Sequence, residues 1–156
     1  MRAVVTGGAG FIGSCLVDRL LAEGWKVDVV DDLSTGSIAN LADARAFGGR
    51  SISFHNLDVA LPQVGELMKK IKPDVIFHLA AQSSVRTSLD NPIYDAQVNI
   101  LGTLRILESA RLAKVERVVY AASGGTLYGE IEPSKLPLDE SAVIAPMSPY
   151  GVYQKG

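Results

Sequence analysis

The apolar run Ala3-Val4-Val5 leads directly into Thr6-Gly7-Gly8-Ala9-Gly10-Phe11-Ile12-Gly13, and a helical pattern opens at Phe11. This order constrains the chain to a strand, a tight glycine turn and a helix. Gly7 is expected to supply the turn, and Gly10 to let the backbone approach a pyrophosphate. Gly13 is expected to let the helix lie close on the strand. The free N–H groups of the first helical turn, at Phe11 and Ile12, then face the phosphates. Spaced glycines alone recur by chance. Joined to an initial strand and to an acid ending the next strand, they point to a dinucleotide.

That acid is in Lys26-Val27-Asp28-Val29-Val30-Asp31-Asp32, a short apolar-rich run ending on carboxylates. Asp31 lies eighteen residues after Gly13, where a dinucleotide fold places the residue that hydrogen-bonds the adenosine ribose. A carboxylate there repels a 2′-phosphate, and no Arg follows within several residues to reverse this. The expected cofactor is therefore NAD rather than NADP. The competing reading is an ordinary strand with a solvated acidic end.

With 156 residues, 47% of them apolar and 21% charged, the chain has the size and composition of one folded domain over 1–156. A net charge of −2 gives no electrostatic case for nucleic acid or an anionic membrane. Cys15 is the sole cysteine, which excludes an internal disulfide and fits a reducing cytoplasm. Its place in the first helical pattern reads as packing. No run approaches the roughly 20 apolar residues needed to span a bilayer.

Strands are expected near 2–6, 26–31, 51–54, 74–79 and 117–122. Helices are expected near 11–23, 37–46 and 62–71, with Pro62 starting the third. After Pro92 a long helix carries Val98, Leu101, Leu104, Ile106, Leu107 and Ala110 and ends near Lys114. Alternating strands and helices predict an α/β doubly wound parallel sheet in the order 3-2-1-4-5, with its crevice at the carboxyl ends of strands one and four. Polar and small residues collect at those ends. Asp58 and Val59 follow strand three, where a carboxylate either accepts the adenine amino group or caps a helix. Leu79, Ala80, Ala81 and Gln82 end strand four and let a cofactor lie against the backbone. His78 reads as a packed strand residue, and His55 has no second ligand at metal spacing, so no metal is expected. Asn99, inside a helical pattern, is placed to brace the loop, and Trp25 reads as partial packing.

These residues together resemble the NAD-dependent epimerase/dehydratase family, the extended short-chain dehydrogenases with a Rossmann-type fold, and most closely its UDP-glucose 4-epimerase branch. The resemblance is carried by the glycine turn, Asp31-Asp32-Leu33-Ser34-Thr35-Gly36, Asp58-Val59 and His78-Leu79-Ala80-Ala81-Gln82. It continues through Asn99, Gly102-Thr103, Ser123-Gly124-Gly125-Thr126-Leu127-Tyr128-Gly129 and Ser148-Pro149-Tyr150-Gly151. Epimerases, dehydratases and decarboxylases share this half, so the motifs leave the sugar open.

The resemblance implies that a Tyr exchanges a proton with a sugar hydroxyl while NAD takes the hydride, with a Lys four residues on and a Ser or Thr after strand five. Tyr150 matches the Tyr. The usual hydroxyl position falls on Gly124, leaving Ser123 and Thr126 as candidates. The fourth residue after Tyr150 is Gln154. Lys155 is one step further, rotated by about 140° on a regular helix. Gln154 brings no positive charge to lower a phenol whose reference pKa is about 10. A Lys four residues beyond Tyr153, the alternative base, would fall past Gly156. The expectations are an incomplete NAD-binding domain lacking the sugar-gripping C-terminal domain, inactive as this chain, with an exposed edge on strand five that invites a homodimer. A stand-alone NAD-binding module without turnover is the alternative.

Overall fold

The computed structural model describes residues 1–154 and divides into two compact units, one built from Met1–Ala81 with Leu101–Ala121, the other from Gln82–Ile100 with the chain from Ala122 onward.

The first unit is a five-stranded sheet in the order β3-β2-β1-β4-β5. Its strands are β1 (Arg2–Thr6), β2 (Lys26–Asp31), β3 (Ile52–Asn56), β4 (Val75–His78) and β5 (Arg117–Tyr120). All four pairings are parallel, with Thr6 opposite Val30 on one side and His78 on the other. The alternation of β1 and β2 separates two cores. Ala3, Val5, Val27 and Val29 pack with Val17, Leu20 and Leu21 of α1 (Phe11–Ala22) and Ala44 of α2 (Ala42–Gly48). Val4, Val30 and Ile76 pack with Val64, Met68 and Ile71 of α3 (Gln63–Ile71) and Ile106 and Ala110 of α6 (Thr103–Ala113). One face per pair of helices is the doubly wound arrangement, and short apolar strands covered on both faces require it. The first core's helix α1 stops at Gly24, whose φ of +81° a side chain would resist.

Asp28 shares the second face with the buried polar residues Thr6 and His78, and only 3% of it is exposed. It accepts from Arg2 Nε at 2.8 Å and Nη2 at 3.2 Å, and from His55 Nε2 at 2.9 Å. His55 is thus a cross-strand partner of a carboxylate. Among the described residues no group of three or more His, Cys, Asp or Glu is arranged to hold a metal ion. No described helix is long and apolar enough to cross a membrane.

Several boundaries differ from expectation. β3 runs later than 51–54, while β4 and β5 are shorter than expected because the chain leaves the ladder after His78 and Tyr120. The 37–46 segment is a 3₁₀ turn, Ile38–Leu41, followed by α2. The long helix after Pro92 is not continuous: Gln97–Gly102 is a wider π turn and α6 follows it. Apolar spacing alone does not register the extra residue that such a turn absorbs.

The second unit holds α4 (Val85–Asp90), α5 (Pro92–Ala96), α7 (Gly124–Leu127) and α8 (Pro149–Tyr153). Three of these are opened by side-chain caps: Ser84 on Thr87 N, Asn91 on Tyr94 N and Ser148 on Gly151 N. Gly151 lets α8 approach α7, since a Cβ there would stand 2.6 Å from the Thr126 carbonyl oxygen.

Candidate functional site

In the first unit the glycine turn is built by close approach. Gly7 takes φ +68°, and a Cβ on it would lie 2.7 Å from Ala80 N and 2.8 Å from the Leu79 carbonyl carbon. A Cβ on Gly13 would collide with the Gly7 carbonyl oxygen. At Gly10, the residue before α1, the added carbon would meet only Gly7 O, at 3.2 Å. Two of the three glycines are therefore demanded by the fold itself, while at Gly10 the Gly7 carbonyl oxygen would have to yield by a few tenths of an ångström. Phe11 and Ile12, the first residues of α1, are 87% and 67% exposed.

Asp31 organises this turn. Its Oδ2 accepts from Ala9 N and its Oδ1 from Leu33 N, both at 2.9 Å. The Ala9 carbonyl is held by Ser37 N at 3.1 Å and Asn40 Nδ2 at 2.8 Å. The Ala9 peptide is thus clamped from both sides, and Gly36 passes so closely that a Cβ would lie 3.1 Å from Asp31 Oδ1. Asp32 accepts from Ser34 N and Oγ, shaping the turn that continues through Thr35. Each Asp31 oxygen retains a lone-pair site beyond its one backbone donor. Asn40 was not legible as part of this site, because its contact depends on where the 3₁₀ turn lands.

At the end of β4, Thr6 Oγ1 accepts from Leu79 N and Ala80 N, each at 3.2 Å, and lies 2.7 Å from His78 Nδ1. With both lone pairs engaged, the hydroxyl must donate to Nδ1. That assigns the proton to Nε2, which donates to Thr103 Oγ1 at 3.0 Å. Burial pushes the His78 imidazole down to about 4, so it is neutral near pH 7. His78 is the packed strand residue expected. Asp58 Oδ1 accepts from Ala60 N at 2.8 Å, closing its own turn rather than capping α3, and Val59 is buried in the second core.

In the second unit Gln82 and Asn99 meet. Gln82 N donates to Asn99 Oδ1 at 3.0 Å, and Asn99 Nδ2 returns a bond to the Gln82 carbonyl at 2.9 Å. Asn99 braces the loop, as its helical placement suggested. Tyr150 is buried near the start of α8, one turn before Gln154, whose N–H donates to the Tyr150 carbonyl at 3.1 Å. Gln154 is only 4% exposed, so a neutral amide holds the place where the resemblance requires an ammonium. Lys155 lies outside the described residues. The Ser123 carbonyl accepts from Thr126 N, and Thr126 Oγ1 reaches the same oxygen at 3.4 Å.

A family model described as GDP-mannose 4,6 dehydratase matches residues 4–154. The UDP-glucose 4-epimerase of Mycolicibacterium smegmatis is 49% identical over 150 residues, covering 96% of this chain and 47% of that protein. The Thermus thermophilus UDP-glucose 4-epimerase, solved in complex with NAD, superposes with a TM-score of 0.89 at 39% identity over 99% of this chain and 47% of its own. The Thermotoga maritima enzyme, solved with UDP-glucose, gives 0.89 at 36% identity, over 99% of this chain and 48% of that one. The chain spans about half the length of the curated relatives it matches. A match along nearly all of the described residues shows that this chain belongs to the GDP-mannose 4,6 dehydratase family, within the NAD-dependent epimerase/dehydratase group.

Proposed function

We propose that this chain is the NAD-binding portion of a nucleotide-sugar epimerase of the UDP-glucose 4-epimerase type, and that by itself it does not turn over. The observation that carries the reading is the clamp of Asp31 on Ala9, which holds a carboxylate beside the glycine turn. The residues present fit the cofactor. Gly7, Gly10 and Gly13, with the N–H groups of Phe11 and Ile12, would take the pyrophosphate. Asp31 would accept from the ribose hydroxyls, and the Asp32–Gly36 turn would border the adenosine. Asp58 and Val59 would border the adenine, and Leu79 to Gln82 with Asn99 would border the rest of the cofactor. When bound, NAD supplies reversible hydride transfer with a sugar carbon.

The chain's own part in the chemistry falls to Tyr150, which would exchange a proton with the sugar hydroxyl, and to Ser123 or Thr126, which would hydrogen-bond the same oxygen. The buried Gln154 favours the reading without turnover, since an amide cannot stabilise a phenolate by charge. UDP-glucose and UDP-galactose are the substrate class supported by the epimerase relatives, with a dehydratase or decarboxylase as the competing assignment. We further propose that the protein works as a homodimer in the cytoplasm.

Two measurements test this. Titration of the purified chain should show NAD binding in preference to NADP; equal affinity for both would overturn the cofactor reading. Incubation with NAD and UDP-galactose should yield no UDP-glucose. Conversion that scales with protein and is lost in Tyr150→Phe would overturn the absence of turnover.

A further inference from the structure

Asp95 lies in α5 with none of its surface exposed, and no step above uses it. Its Oδ1 accepts from Gln82 Nε2 at 2.6 Å and from Asn99 Nδ2 at 3.0 Å. The second hydrogen of each amide is also engaged. Gln82 Nε2 donates to the Ser84 carbonyl at 3.0 Å, and Asn99 Nδ2 to the Gln82 carbonyl at 2.9 Å. Both amide oxygens face backbone donors, Gln82 Oε1 receiving Ser84 N at 2.7 Å and Asn99 Oδ1 receiving Gln82 N at 3.0 Å. A side-chain amide can turn end for end, exchanging its oxygen and nitrogen, unless a partner distinguishes them. Asp95 Oδ1 is that partner. It accepts and does not donate, so both NH₂ groups must face it and both oxygens must face the loop.

Asp95 Oδ2 is buried and has no hydrogen-bond partner among the described residues. The carboxyl thus bears a burial cost at Oδ2 that only Oδ1, through its two amide bonds, offsets. Burial pushes its carboxyl above the ordinary range against the opposing Gln82 bond, which marks the same cost.

We propose that Asp95 is a positioning residue: by accepting from both amides it fixes the Gln82–Ser84 turn and the orientation in which Gln82 and Asn99 are presented to the cofactor. The part concerning the cofactor rests on the NAD reading above. In the full chain, the side-chain NH₂ protons of Gln82 and Asn99 should exchange with solvent far more slowly than those of exposed Asn91. Exchange at the exposed rate would overturn the proposal with no variant needed. Asp95→Leu should speed exchange of the Gln82 and Ser84 backbone N–H groups about 10-fold and weaken NAD binding by a similar factor. Asp95→Asn, which keeps one acceptor oxygen, should restore both to within about 3-fold. A folded Leu variant with unchanged exchange at Gln82 and Ser84 would overturn the proposal, as would an Asn variant no better than Leu. If the exchange changes appear but no form binds NAD, the cofactor reading fails and the fixing of the turn stands. If wild type and the Leu variant bind NAD equally, the link from Asp95 to the cofactor fails while the NAD reading holds.

Discussion

Thr6 Oγ1 and His78 Nδ1 stand 2.7 Å apart, and through this contact the last residue of β1 holds the end of β4 against the glycine turn. The same hydroxyl accepts the N–H groups of Leu79 and Ala80, and Gly7 packs on that peptide. Removing the hydroxyl leaves the Ala80 N–H and Nδ1 without partners in a buried place. Thr6→Val should therefore destabilise the chain by about 2 kcal/mol, and Thr6→Ser by clearly less. Urea unfolding at pH 7.5 checks both.

The neutral His78 gives stability a pH dependence of known sign. Its pKa is about 4 in the folded chain and 6.5 for an ordinary histidine, so the unfolded state binds more protons between those limits. Its contribution is complete above about pH 6.5 and is lost progressively as pH falls to about 4, an amount on the order of 3 kcal/mol. His78→Gln, which does not titrate, should flatten the urea midpoint against pH across that window relative to wild type. An unchanged slope would show that His78 is not the group responsible.

The glycines separate fold from binding. Gly13→Ala drives a carbon into the Gly7 carbonyl and should cost about 3 kcal/mol or prevent folding. Gly10 has φ −79°, which alanine accepts, and its added carbon would press on one atom, the Gly7 carbonyl oxygen at 3.2 Å. Gly10→Ala should cost about 1 kcal/mol in stability and weaken NAD binding at least about 10-fold, if the turn takes the pyrophosphate as proposed. Thermal melts beside NAD titrations distinguish the two effects.

Asp31→Ala should act on both quantities. It leaves the fully buried Ala9 N–H unpaired, at about 1–2 kcal/mol, and it removes the carboxylate proposed to accept from the ribose. The ratio of NADP to NAD dissociation constants should move towards unity. A preserved preference for NAD would assign the discrimination to another residue.

Asp28 tests a contact with no bearing on the cofactor. Asp28→Asn removes the charge that joins Arg2 of β1 to His55 of β3 and should cost about 2 kcal/mol, discounted because Arg2 is 40% exposed at its side chain. NAD affinity measured on the folded fraction should stay within about 3-fold of wild type.

The sequence by itself determined the sheet. Covered parallel strands must be apolar and short, so Ala3-Val4-Val5 and Val27 to Val30 announced their place, and the glycine spacing announced the first turn. Strand order followed because right-handed crossovers leave few arrangements. The sequence also singled out Asp31 at the end of β2, eighteen residues after Gly13, and the structure sets its carboxylate on the glycine turn. Tertiary structure alone decided what the polar groups touch. Asn40 reaching Ala9, Asp95 orienting Gln82 and Asn99, and Thr6 setting the tautomer of His78 join residues up to 72 apart in the chain. Periodicity records which face of an element is buried, because burial repeats along the element. A single hydrogen bond between distant segments repeats nothing, so only the folded backbone brings its donor and acceptor within reach.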